Sequence, residues 1–398
     1  MQFQFRPTIL VVLTVLALAS AGPASAADIL VPDDVATIQA AIDLAQTGDR
    51  VLVAPGTYAE RIDFLGKDIV VEATDGAEVT TIDGGGEPAG AGWVVTFAGG
   101  ESRAAALRGF TVTGGFGSGG SNGAGPGGGG LIDGGAPVVA DCVVAGNSGI
   151  LGGGLSVGDG DPLLADLRVV DNSASSGGGL YVEGGAVEVV RSEFVENLAR
   201  NDGGGLCIRW NVAATLTELL LEDNISLQFG SGMFVRDATL DASQIEARGN
   251  GLIENGNVFR SFGGGGAYIK NTAGRLDRSR FTGNVSYAGG GVYLAGEMDD
   301  FVLVNSLIAD NIVGLGEVYF NSSSPLVTGC TVRTSDEEFG FAAFTTYNAE
   351  PTITNTAFAS GYLGGNGTIF VDHSVVAEEN GVGVFGEGNV FGDALLDP

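Results

Sequence analysis

The chain has 398 residues, 69 of them glycine, with 18 lysines and arginines against 48 aspartates and glutamates and a formal net charge of −30. That balance excludes nucleic acid and anionic membrane as general partners, because both are bound through basic surfaces. A single histidine excludes a multi-histidine metal centre, and three cysteines cannot all pair within one chain.

Residues 1–26 read as a signal peptide. Arg6 supplies the positive start, Ile9 to Leu18 the apolar stretch, and Ala24-Ser25-Ala26 a small-residue cleavage site. The apolar run is shorter than a membrane span, and no later segment reads as transmembrane. The expected location is outside the cytoplasm, secreted or at the cell surface or outer membrane. Residues 27–66 read as a cap and first strands: Ile38, Ala41, Ile42 and Ala45 share one helical face, with Gly48 as the stop. A helix there would cover the exposed edge of stacked strands.

Residues 67–127 hold irregular strand-like runs and then a glycine loop, 114–130. Phosphate binding by that loop is not expected, since no Lys-Ser/Thr follows it and no helix opens from it. Residues 128–315 are regular. Gly-Gly-Gly-Leu recurs at Gly128, Gly152, Gly177 and Gly203, with looser copies at Gly264 and Gly289. Each copy is linked to an asparagine: Asn147, Asn172, Asn197, Asn224, Asn250, Asn284 and Asn311, at spacings of 25, 25, 27, 26, 34 and 27. Short runs alternating with period two lie between them, so each repeat is a coil of strands that needs its neighbours to bury an apolar face. An asparagine at one corner of every coil predicts a structural ladder of side-chain amides. The long repeat between Asn250 and Asn284 predicts an inserted loop, and residues 316–398 keep the strand rhythm without the glycine signature.

GGGLYV…FVEN and GGGGAYI…FTGN resemble the GGA[I/L/V] and FxxN repeats of polymorphic outer membrane proteins. TIQAAID…GDRVLVAPGTY resembles the N-terminal cap of secreted β-helices. The chain as a whole resembles the right-handed parallel β-helix (pectin lyase-like) superfamily. The resemblance implies an all-β solenoid: a right-handed parallel β-helix of about a dozen coils over 67–398, with a short N-terminal capping helix. Adhesins, autotransporter passengers and many other secreted proteins share such repeats, so they fix no activity.

Aligning the glycine-led strands gives two outward columns. One reads Ile132, Ser156, Tyr181, Cys207, Phe234, Tyr268, Tyr293, Tyr319; the other reads Gly134, Gly158, Glu183, Arg209, Arg236, Lys270, Ala295, Asn321. Tyr181, Arg209, Phe234, Arg236, Tyr268, Lys270, Tyr293 and Tyr319 are therefore the candidate ligand-binding residues. One reading is a groove in which rings stack on sugars and cations meet the carboxylates or sulfates of an acidic polysaccharide or surface glycan. The other is a structural aromatic stack with cation–π contacts, covering the sheet or lying under a loop.

The expected function is a cell-surface or secreted adhesion or glycan-binding solenoid. The alternative is a polysaccharide lyase, epimerase or hydrolase acting on an acidic glycan. The superfamily resemblance implies, for an enzyme, an Arg or Lys base with carboxylates holding calcium on this kind of face. No catalytic residue is assigned. Glu297 with Asp299-Asp300, and Asp336-Glu337-Glu338, are acid groups in turn-like segments, and His373 beside Asp372 has no nucleophile motif near it. Ca2+ is compatible with the acidity, but neither a DxDxDG nor a GGxGxD motif is present, and no resident metal site is assigned.

Overall fold

The computed structural model describes residues 26–86, 92–117, 128–254, 257–258, 262–334, 342–358, 362–376, 383–385 and 390–391. The signal-peptide segment, most of the glycine loop, part of the inserted loop and Asp336-Glu337-Glu338 lie outside these residues.

The chain is a parallel β-solenoid of about twelve coils. One sheet has twelve strands, one per coil, running in unbroken parallel order from Ile62–Asp63 to Tyr362–Gly365. A second sheet of 26 strands takes two segments from most coils. In the middle coils these segments fuse into ten-residue strands, Ala186–Val195, Ala213–Glu222 and Thr239–Arg248. A single left-handed residue bends each of them. It belongs to a column of Asp141, Asp166, Arg191, Glu218, Gln244, Arg278, Asn305, Asn355 and His373, with φ between 45° and 57°. That conformation costs a non-glycine residue roughly 1–2 kcal/mol, which the hydrogen bonds to the coils on either side offset.

Period-two alternation sends one face of every strand inward. Val182, Ile208, Val235 and Ile269 from the twelve-strand sheet, with Leu216, Leu221, Ala242 and Leu276 from the wide one, are all 0% exposed. The N-terminal edge is closed by the helix Ile38–Leu44. Ile38, Ala41, Ile42 and Ala45 are its buried face. The helix ends four residues before Gly48, because Lys67 closes it from the next coil. Its Nζ donates to the carbonyls of Ile42, Asp43 and Ala45 at 2.7, 2.9 and 2.9 Å. Glu60 accepts from the free N–H groups of Ile38 and Gln39 at the other end, so each helix terminus meets the charge its dipole favours.

The seven asparagines form a continuous ladder. In each step from Asn147 to Asn311, one Oδ1 accepts both the backbone N–H and the Nδ2 of the preceding asparagine, at 2.8–3.1 Å. The same Nδ2 also donates to a backbone carbonyl of the coil before, such as Val169 for Asn197. The amides are 0–2% exposed. Cys142 and Cys330 also share a column. Both are buried and unpaired, and burial pushes their thiols up to about 12 and about 11.

Asn197→Ala strips an acceptor from both Asn172 donors and removes one donor from the Val169 carbonyl. It is expected to cost about 2–4 kcal/mol, seen as a lower urea midpoint with an unchanged slope. An unchanged midpoint would show that the ladder carries no stability.

Candidate functional site

Strand pairing fixes the outward aromatic column as Leu131, Ser156, Tyr181, Cys207, Phe234, Tyr268, Tyr293, Tyr319 and Thr345. Ile132 is not in it: this residue pairs with Val157 and faces the core at 1% exposure. The alignment slips by one because the first coil reads Gly-Leu-Ile where later coils read Leu-x-Val.

The column is not an open face. Tyr181, Cys207, Phe234, Tyr268 and Tyr293 are 1, 0, 3, 7 and 8% exposed. They form a second apolar core outside the main one, with Ala288, Leu151 and Phe229 packed over them. Rings face rings: Phe234 and Tyr268 stack at 5.1 Å, Tyr268 and Tyr293 at 4.8 Å, and Phe229 lies 4.8 Å from Tyr268. The cover is an arm of each coil between the asparagine corner and the glycines. It includes a three-stranded sheet of Ser173–Ala174, Leu198–Ala199 and Ile225–Ser226 and a pair Val285–Ala288 with Ile312–Leu315. The first glycine of the repeat brings the arm back. At Gly203 (φ +68°) a Cβ would sit 2.6 Å from that of Cys207, and at Gly264 (φ +70°) 2.7 Å from that of Tyr268. Burial raises the phenol pKa values of Tyr181 and Tyr268.

The basic column is mostly engaged. Arg209 forms a half-buried ion pair with Asp202 and lies 4.8 Å over the Phe234 ring. Burial raises the Asp202 carboxyl and Arg209 opposes it. Arg236 Nε is 3.1 Å from Asp237 Oδ2, Arg275 Nε 2.8 Å from Asp241, and Arg278 Nε 3.2 Å from Asp277. Lys270 makes no ion pair among the described residues. The stack of three free cations read from the sequence is thus one free cation and two paired ones.

Among its aromatic members the column is least covered at Tyr319, and the next residue of the column, Thr345, is 8% exposed. Tyr319 is half-buried and stacks on Tyr293 at 4.9 Å. Tyr287 and Tyr347 are 60% and 49% exposed. Burial raises the Tyr319 phenol, and the Tyr293, Tyr347 and Tyr287 phenols add to the shift. Between Lys270 and Asn321 the neighbouring column holds only Ala295, and it ends on Tyr347. Asn321 Nδ2 donates to the Tyr293 hydroxyl at 2.7 Å. The alignment missed Tyr287 because it belongs to the covering arm, and Tyr347 because the glycine signature has ended there. Continuing the Arg209–Arg236–Lys270 column by register would have reached Tyr347.

Two further concavities follow the corner after these strands. A groove of about 850 Å3 is lined by Asn211, Asp237, Asn271, Glu297, Asp299 and Asp300, among others. A smaller one of about 420 Å3 holds Asp159, Glu183 and Trp210, whose ring is 45% exposed. Part of the lining is itself a corner ladder: Asn271 Nδ2 donates to Asp237 Oδ1 at 2.9 Å and Asn271 Oδ1 accepts from Glu297 N at 3.1 Å. No cluster of three metal-ligating side chains occurs among the described residues, and no described helix is long and apolar enough to cross a membrane. His373, in the left-handed column, is exposed and 3.0 Å from Asp372.

No protein-family model matches the chain and no curated protein resembles it. It is similar to a number of solved structures, among them the following three. The first is ORF18 of Geobacillus virus E2, at 13% identity and TM-score 0.35, covering 89% of this chain and 57% of that one. The second is the A-module of Azotobacter vinelandii mannuronan C-5 epimerase AlgE6, at 14% identity and TM-score 0.36, covering 89% and 93%. The third is pectate lyase Pel9A, at 13% identity and TM-score 0.28, covering 88% and 73%.

The burial gradient separates two kinds of tyrosine. Tyr268→Ala is expected to cost about 3 kcal/mol as a cavity in the second core, and Tyr347→Ala less than about 0.5 kcal/mol, measured by denaturant unfolding. Equal, small effects would mean that the covering arm does not pack on the column.

Proposed function

We propose that the protein is an exported, non-catalytic solenoid that binds a glycan chain on the Tyr287, Tyr319 and Tyr347 face, as an adhesion or recognition module. The observation that carries this reading is the exposure beside the last tyrosine of the column: Tyr319 is half-buried, while Tyr347 of the neighbouring column and Tyr287 of the covering arm are 49% and 60% exposed. Tyrosine combines a flat apolar ring with a polar tip and little conformational entropy to lose, which suits it to stacking on sugar faces while its hydroxyl meets a sugar hydroxyl. Like strands of successive coils lie about 4.8 Å apart, so the paired strands that carry Tyr319 and Tyr347 are one step apart along the solenoid axis. The buried rings Tyr181, Phe234, Tyr268 and Tyr293 are assigned a packing role in this reading, together with Arg209 and Arg236.

The sequence suggested an acidic glycan, through three stacked cations. Lys270 is the one of the three left without an ion pair among the described residues, and the neighbouring corner groove carries Asp237, Glu297, Asp299 and Asp300. A polyanion approaching a chain of net charge −30 would be repelled at low ionic strength. We therefore take the ligand to be a neutral glycan. Export rests on the segment before Ala27.

Calorimetry of the mature chain against neutral, uronic and sulfated oligosaccharides tests this reading. Binding of a neutral glycan is expected, weakened at least about tenfold, or ~1.4 kcal/mol, by Tyr319→Ala and by Tyr347→Ala, the latter with the unfolding midpoint unchanged. Binding of no glycan, or binding indifferent to both substitutions, overturns the site. Release of new sugar ends would overturn the non-catalytic assignment in favour of a lyase or hydrolase. The N-terminus of the protein recovered from its native host, read by mass spectrometry, is expected at Ala27; an intact Met1 in the recovered protein would contradict export by cleavage.

A further inference from the structure

The glycine signature and the asparagine ladder end at the same place, and one residue links the two. The third glycine of each repeat lies against the ladder. A Cβ on Gly179, Gly205, Gly232 or Gly266 would come to 3.2 Å from the amide nitrogen of Asn197, Asn224, Asn250 or Asn284, and one on Gly291 to 3.1 Å from that of Asn311. Glu317 is the next position in that glycine column: Gly291 N donates to the Glu317 carbonyl, and the following residues Val292 and Val318 pair. Its side chain takes the place of the next coil's asparagine. Oε1 accepts the Asn311 N–H at 3.2 Å and Oε2 accepts Asn311 Nδ2 at 2.6 Å. These are the two donors that every earlier rung gives to the Oδ1 of the following coil.

Glu317 is 0% exposed and has no ion pair among the described residues. The charged groups facing it are Asp310, in the turn before Asn311, and Arg333, on the strand of the next coil, and these two pair with each other. Its backbone holds two junctions, with Gly291 on one side and the carbonyl of Ala342 on the other.

We propose that Glu317 is a proton-dependent joint: with its carboxyl neutral it closes the asparagine ladder and holds the coils from Val318 onward in register, and its ionisation releases those coils while the earlier ones stay stacked. Burial pushes this carboxyl up to about 8 from an ordinary 4.5, against the opposing pull of the two Asn311 bonds. A carboxyl raised in the folded state contributes stability that is full below about 4.5 and is lost as pH rises through about 8. In a solenoid each coil is stabilised by its neighbours, so the loss stays local to one side of the joint.

Hydrogen exchange of the mature chain, corrected for intrinsic rates, at about pH 6 and about pH 9.5 tests the joint. Amides of Val318–Asn321 and Ala342–Tyr347 are expected to lose at least about tenfold protection at the higher pH, while Leu180–Glu183 and Leu206–Arg209 keep theirs. Glu317→Gln, whose single Oε1 can take both Asn311 donors as the asparagines do, is expected to abolish the difference. Equal protection at both pH values, a loss spread evenly along the chain, or a local loss that persists in Glu317→Gln overturns the proposal. The wild type alone gives a second check. An infrared band of a buried, protonated carboxylic acid is expected near neutral pH and lost above about pH 9; its absence near neutral pH overturns the joint even if the variant fails to fold.

Discussion

A buried amide must satisfy its donors and acceptor together, and in this molecule each asparagine can do so only through the coil on either side. That constraint ties the coils into one register. An asparagine side chain reaching inward at one corner needs a carbonyl behind it and an amide ahead of it, as Asn197 has in Val169 and Asn224. The strand after the corner must then start with residues small enough to pass the amide, which is why Gly205 and Gly232 stand where a Cβ would strike it. The ladder therefore selects the glycine signature, and both stop together at Glu317.

The same glycines produce the second core. A left-handed glycine four residues before Tyr181, Phe234, Tyr268 and Tyr293 turns the arm back over the column, and the arm's own apolar residues, such as Phe229, seal it. Ring stacking between coils then adds to burial instead of remaining available to a ligand. Charge follows this geometry. Arg209 is held against Asp202 under the arm, and several exposed arginines of the wide sheet are matched to carboxylates one coil away, as Arg168 is to Glu193 and Arg248 to Glu222. Such exposed pairs contribute little stability each. What remains accessible on the aromatic side is the half-buried Tyr319 with the exposed Tyr287 and Tyr347.

The coil architecture, the cap helix face and the asparagine column were legible in the sequence because each is a strictly local pattern repeated at a fixed spacing. The end of the helix was not, because its stop is Lys67, which approaches from the following coil, and not the glycine in the chain. The slip at Ile132 has the same origin: two adjacent apolar residues satisfy alternation in either phase, and only the pairing to Val157 decides. The accessibility of Tyr181 to Tyr293 was illegible for a different reason. Period two tells which side of a strand a residue faces but not whether another segment lies on that side. The arm that covers the column is made of the same small and polar residues that read as turns. Glu317 was visible as a break in the glycine column, Gly-Glu-Val in place of Gly-Gly-Val, but its meaning depends on the ladder being there to end.

The central claim is that the aromatic column is sealed from Tyr181 to Tyr293, and that the exposed tyrosines stand beside its last one, Tyr319. Hydroxyl-radical footprinting of the folded mature chain reads this directly, residue by residue. The account predicts strong labelling of Tyr287 and Tyr347, intermediate labelling of Tyr319, and none at Tyr181 or Tyr268. Labelling of Tyr181 and Tyr268 at the rate of Tyr347 would contradict it, and would reopen the whole column as a binding face.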